Sequence, residues 1–262
     1  MKPPTIIRIG MDKSARSRRR PRAAAVAPTD ADMIPSAAPW VASLLQLSDS
    51  FYPTGAYAHS FGLEGLVQDG AVRDPATLRI FLLEQALPQL ARTDLPVAVQ
   101  AFAAAGEPAD WARLRSLCFL GNAIRGAREP REASEAIGRQ RLQLAVMLHG
   151  GFAREFDRRA AGLPRPMGVI AAIEGRTLGL PRDAILSTVV YAAAASLVAA
   201  SVKLLRIGHN AAQTLLAEAV GRAPYLIAEA VALPLDKIGS FNPWWDIAAA
   251  RHESADFRLF IS

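Results

Sequence analysis

The sequence predicts an all-helical fold, on three grounds. Alanine is abundant while aromatic residues make up only 7% of the chain, a balance that favours helix over sheet. No run alternates apolar and polar residues with a sustained period of two. Prolines, glycines and helix-capping residues instead punctuate stretches whose apolar positions recur every three or four residues. The expected architecture is one helical-bundle domain of about ten helices over residues 36–262, preceded by a disordered basic tail over 1–35.

The elements follow in order. Residues 36–48 are apolar, with Pro39 near the start. Residues 74–91 open on Asp74 and Pro75, an N-cap and first-turn pair, and Leu78, Phe81, Leu82 and Gln85 form the stripe. A helix from Asp94 to about Ala105 and another over 108–126 come next. Residues 130–149 open on Pro130 and close at Gly150 and Gly151, with Ala133, Ile137, Gln140, Leu144 and Met147 on one face. Residues 184–202 carry no charge. Length alone admits a membrane span there. Much of the segment is Ala, Ser and Thr, however, and its neighbours are amphipathic, so a core helix buried on all sides is the better reading.

The net charge of +6 belongs mostly to the tail. Residues 1–35 hold eight Lys or Arg against three Asp, while the rest holds 22 basic against 21 acidic residues. A nearly neutral body gives no sign of a nucleic-acid-binding face. The run RSRRRPR at 16–22 fits an inessential extension, an organelle leader or a contact for RNA or anionic lipid. The first is preferred, with Met11 and Met33 as alternative initiators. No apolar h-region marks a secretory signal, and the single cysteine, Cys118, excludes an internal disulfide framework and fits a reducing compartment.

Several enzyme templates fail. The four lysines, Lys2, Lys13, Lys203 and Lys237, never follow a glycine, so the chain has no Walker A loop. His252-Glu253 begins a zinc-protease pattern, but Asp256 stands where its second histidine belongs. Ala58-His59-Ser60-Phe61-Gly62 echoes a hydrolase nucleophile elbow and makes a serine hydrolase using Ser60 the alternative function. The residues before it read as a turn, not the strand such an elbow requires.

Two stretches look too specific for packing alone. In 50–70, Pro53 and Gly55 set a turn, and Gly62, Gly65 and Gly70 interrupt a helix. Tyr57, His59, Ser60 and Glu64 supply polar tips there. In 240–262, Asn242-Pro243 is an N-cap followed by a first-turn proline, and Asp246 lies in the first turn. Ile247, Ala250, Ser254, Phe257 and Ile261 then extend a helical stripe. The last 22 residues hold five of the 18 aromatics. That density suggests docking, onto the chain's own domain or onto a partner.

Five motifs carry a family resemblance: LLQLSDSFYPTGAYAHSFGLEGLVQDGAV from 44, TDLPVAVQAF from 93, REPREASEAIGRQRL from 128, LLRIGHNAAQTLL from 204, and RHESADFRLFIS from 251. In this order they resemble the urease accessory protein F family over most of 40–262. Two motifs depart from its usual pattern, at Ala56–His59 and at Arg206–His209.

The resemblance implies an all-helical cytoplasmic homodimer without catalytic activity. It would be a urease maturation chaperone that binds the accessory D/H protein and the GTPase accessory G protein. Together these would load nickel into apo-urease. The chain would bind no cofactor tightly: nickel would be handled by the complex and GTP by the partner. The resemblance places Tyr57, His59, Ser60, Glu64, Arg206 and His209 on the GTPase side. It places Trp244, Trp245, Arg251, His252, Glu253, Phe257, Arg258 and Phe260 on the D/H side. No catalytic residue and no metal ligand is assigned; His59, Cys118 and His209 are the side chains whose chemistry suits nickel. No nucleic-acid or membrane partner is expected.

Overall fold

The computed structural model describes residues 38–262; the expected tail over 1–35 lies outside them. The chain runs through α1 (Trp40–Ser48), α2 (Leu63–Gln68), α3 (Pro75–Phe81), α4 (Leu87–Arg92), α5 (Asp94–Ala104), α6 (Trp111–Ala123) and α7 (Arg128–Leu148). It continues through α8 (Gly151–Arg159), α9 (Met167–Thr177), α10 (Arg182–Leu204), α11 (His209–Gly221), α12 (Ala223–Ala232) and α13 (Pro243–His252). Ten of these segments are nine residues or longer, and no strand occurs among the described residues. The all-helical expectation holds.

Local chemistry explains most of the boundaries. Asp74 caps α3 in a reciprocal box: Thr77 N donates to its carboxylate at 2.8 Å, and Asp74 N donates to Thr77 Oγ1 at 3.1 Å. Helices α3 and α4 run into each other through a π turn, Leu82–Ala86. Pro88, just beyond it, has no N–H to continue the ladder. The turn leaves the Leu83 carbonyl outside the regular ladder, and Arg222 donates to it at 3.1 Å. It also rotates the register, so Gln85 is exposed while Leu78, Phe81 and Leu82 are buried. In α7 the helix starts two residues before Pro130, which first-turn geometry tolerates. Met147, expected on the buried face of α7, is exposed.

Two apolar clusters form the core. One gathers α2, α3, α4, α10, α11 and α12, with Ala248 and Phe260. The other gathers α5, α6, α7, α8 and α9, with Leu47 and Tyr52. Helix α10 packs against α1, α2, α5, α9, α11 and α12. It is long and apolar enough to cross a membrane by length and composition. The sequence suggested a helix buried on all sides, but Ser187, Ala192 and Ala199 remain exposed, so its burial is incomplete. In α9, Glu174 is fully buried against Arg141, whose Nε donates at 2.7 Å, and desolvation pushes its carboxyl upward despite that partner.

Candidate functional site: a clasp around His252

The sequence's two distinctive stretches meet. Helix α13 lies on α2 so closely that an added Cβ at Gly65 would stand 2.4 Å from the Ala248 carbonyl oxygen. Gly65 therefore does not interrupt α2, as its sequence context suggested; it lets α13 approach. Gly62 has φ +86° at the N-cap of α2, where a Cβ would also meet the Trp245 indole at 2.9 Å. Trp245 Nε1 donates to the Phe61 carbonyl at 2.7 Å, and its ring meets Phe81 edge-on at 4.9 Å.

His252, the last residue of α13, is 1% exposed. Its Nε2 lies 2.9 Å from Glu64 Oε2 and its Nδ1 lies 2.7 Å from Glu129 Oε2. Both ring nitrogens are thus within hydrogen-bond distance of a carboxylate oxygen. Glu64 comes from the first turn of α2 and Glu129 from the first turn of α7, where helix dipoles favour negative charge. Arg258 completes the set, donating to Glu129 Oε1 at 2.9 Å. The His252 ring and the Arg258 guanidinium thus face two carboxylates in a largely dry site.

The same Glu64 bends the chain. It accepts backbone N–H bonds from Leu259 at 2.8 Å and Phe260 at 3.0 Å. The helical stripe read through Ile261 accordingly fails beyond His252, and residues 253–262 fold back over α2. Ile261 N donates to Ala58 O at 2.9 Å, and Gln68 Nε2 donates to Phe257 O at 3.0 Å. Ser60 Oγ donates to Ser262 O at 2.8 Å, and the His59 ring meets Ser262 Oγ at 2.8 Å. Burial holds the His59 imidazole below its ordinary pKa, with Glu129 partly opposing. Phe260 is buried, and the Lys203 ammonium lies 5.2 Å from its ring centroid.

This geometry sorts the residues that the sequence singled out. Ser60, Glu64, His252 and Phe260 are buried, so in this conformation they hold the clasp rather than offering a contact surface. Tyr57, Arg206 and His209 are exposed, and His59 is half-buried. Trp244 and Phe257 are 78% and 79% exposed. Trp245 is half-buried. Arg251 pairs with Asp69 at 3.5 Å, and Glu253 pairs with Arg128. Glu64, expected on the GTPase side, bonds directly to His252 and Phe260, expected on the D/H side.

Ser60 has none of the setting of a hydrolase nucleophile. Its hydroxyl is buried, donates to a carbonyl and accepts from Glu64 N at 3.3 Å, and the described residues contain no sheet. Cys118 is buried in α6, and His209 is exposed at the start of α11. Among the described residues no group of three or more His, Cys, Asp or Glu is placed to hold a metal. Sequence reasoning missed Glu129, which lies inside the third motif but looked like one charge among many on a helix.

Residues 72–220 match the family model described as UreF. A Cereibacter sphaeroides protein named urease accessory protein UreF is 32% identical over 218 residues, covering 83% of this chain and 96% of that one. The chain belongs to the UreF family. A second UreF, from an Arthrobacter species, is 30% identical over 223 residues, covering 84% of this chain and 96% of that protein. A Bordetella bronchiseptica protein named bifunctional urease accessory protein UreEF is 31% identical over 242 residues, covering 91% of this chain and 56% of that protein. In this chain the clasp residues Glu64 and His252 lie outside the span matched by the family model, at its two flanks.

Proposed function

We propose that this chain is a non-catalytic urease accessory protein that docks the accessory D/H protein and recruits and regulates the GTPase G protein during nickel insertion into apo-urease. It would work as a cytoplasmic homodimer. Nickel is cargo passed within the complex, and GTP is bound and hydrolysed by the partner. One observation carries the docking role. The C-terminal segment is anchored by buried polar groups yet presents Trp244, Phe257, Leu259 and Ile261 outward. Large apolar side chains on a rigid backbone bind with little ordering cost, and aromatic anchors dominate interface energies. Tyr57, Arg206 and His209 are exposed and available for the GTPase side.

Affinity capture of the full chain co-expressed with the accessory D/H and G proteins tests this reading. Recovery of both partners is expected, with the G protein depending on the D/H protein or on this chain. Capture of neither, with the chain folded, would overturn it.

A further inference from the structure

A second buried polar group lies away from the clasp, under the loop that joins α1 to α2. Tyr52 is the only buried residue between Leu47 and Ser60, and its ring sits in the apolar cluster of α5 to α9. Two buried polar atoms there lack a regular hydrogen bond, Tyr52 Oη and Glu174 Oε1. A phenol donates and a carboxylate accepts, so each is the complement of the other. The two groups are close enough to act on each other. Burial, and then the Glu174 carboxylate, push the Tyr52 phenol up to about 12, while Arg141 and Tyr52 both oppose the upward push of burial on Glu174. Glu174 Oε2 takes the bond from Arg141, whose guanidinium carbon lies 5.8 Å from the Tyr52 ring centroid. An ion pair this deep is costly to desolvate, and apolar side chains would join α7 to α9 as well. What the pair adds is direction: a third group, from a loop, is fixed against it.

The loop has few other ties. Its own bonds are local: Tyr52 N donates to Asp49 O at 3.0 Å, Phe51 N to Asp49 Oδ1 at 2.7 Å and Thr54 N to Tyr52 O at 2.8 Å. They shape the turn without tying it to the body. Only its far end is held, by the bonds of Ala58 and Ser60 to Ile261 and Ser262. On this loop Phe51 is 91% exposed, and Tyr57 is exposed as well. We propose that Tyr52 is a positioning residue: its hydroxyl donates to Glu174 Oε1 beside Arg141 and sets the backbone from which Phe51 and Tyr57 reach outward to the GTPase partner. Phe51 is then a contact residue that the sequence did not single out. The identity of the partner rests on the reading above; the peg does not. A side chain next to a buried peg keeps its place, so it binds with little ordering cost, and aromatic residues are enriched in interface cores.

Tyr52→Phe in the full chain tests the peg, because it removes the hydroxyl and keeps the ring. Hydrogen exchange at the amides of positions 52 and 54 should quicken at least about tenfold, the worth of a hydrogen bond to a charged acceptor, while α7 and α9 keep their protection. Capture of the G protein in the presence of the D/H protein should weaken by a similar factor, and capture of the D/H protein should not change. Phe51→Ala, at an exposed position outside both core clusters, should weaken G-protein capture with exchange in the helices unchanged. Unchanged exchange at 52 and 54 in Tyr52→Phe would overturn the proposal. So would a uniform quickening across all helices, which a merely structural hydroxyl would give. Full G-protein affinity in both variants would overturn the contact. If the unaltered chain captured neither partner, the docking reading would fall, and exchange at 52 and 54 would still decide for or against the peg.

Discussion

The His252 ring stands between Glu64 and Glu129, 2.9 Å from one carboxylate and 2.7 Å from the other. Three elements distant in sequence, α2, α7 and α13, are joined at one side chain. The backbone N–H groups of Leu259 and Phe260 then complete Glu64. This clasp fixes a C-terminal segment whose outer face is apolar.

Removing the ring should release that segment. His252→Ala leaves two buried carboxylates without their shared donor, and breaking a buried pair by removing one partner costs about 3–5 kcal/mol. Urea denaturation should show a loss in this range, with residues 253–262 losing hydrogen-exchange protection first. Glu64→Ala should behave similarly, as a folding defect before a binding one. A change under about 0.5 kcal/mol, typical of surface substitutions, would contradict the clasp.

Gly65→Ala tests the close approach of α13. The new methyl meets the Ala248 carbonyl, a backbone atom that cannot swing aside. Overpacking of this kind costs about 1–3 kcal/mol. The Trp245 environment should change with it, seen as a shift in tryptophan emission. Unchanged emission and stability would place α13 elsewhere.

His59 gives a pH dependence with a definite sign. Its folded pKa is held down by burial. The unfolded chain therefore takes up a proton near pH 6.5, before the folded chain does, so the unfolded state binds more protons in that window. The contribution to stability is present above about 6.5 and is lost as pH falls through the folded value. Hydrogen-exchange protection of 257–262 should drop on acidification, and less so in His59→Gln. Identical profiles would contradict the assignment.

Two buried nucleophiles should be silent. Burial pushes the Cys118 thiol up to about 12, so a disulfide reagent at mildly alkaline pH should modify it only after unfolding. Ser60 should resist fluorophosphonate labelling, and Ser60→Ala should cost about 1 kcal/mol for the lost hydrogen bond. Labelling of Ser60 in the folded chain would reopen the hydrolase reading.

Much of the fold was legible because it rests on local signals. Asp74-Pro75 and Asn242-Pro243 start helices where their capping chemistry says they should. The π turn before Pro88 was not legible; it has no signature apart from the proline, and it moved Gln85 out of the stripe. The clasp was half legible. His252, Glu64 and Arg258 lie in motifs that stood out, but nothing local says that a histidine at one end of the chain will meet glutamates some 120 and 190 positions earlier. The stripe from Ile247 to Ile261 misled because long-range hydrogen bonds to Glu64 outweigh helical continuation.

The most direct test of the central claim is the affinity of the accessory D/H protein for the chain carrying Trp244→Ala and Phe257→Ala. Both side chains are exposed and neither belongs to the core, so the fold and the clasp should survive, as circular dichroism and exchange protection would show. The account predicts a loss of at least about 2 kcal/mol in binding, the size expected for aromatic hot spots. Full affinity in the folded double variant would contradict it.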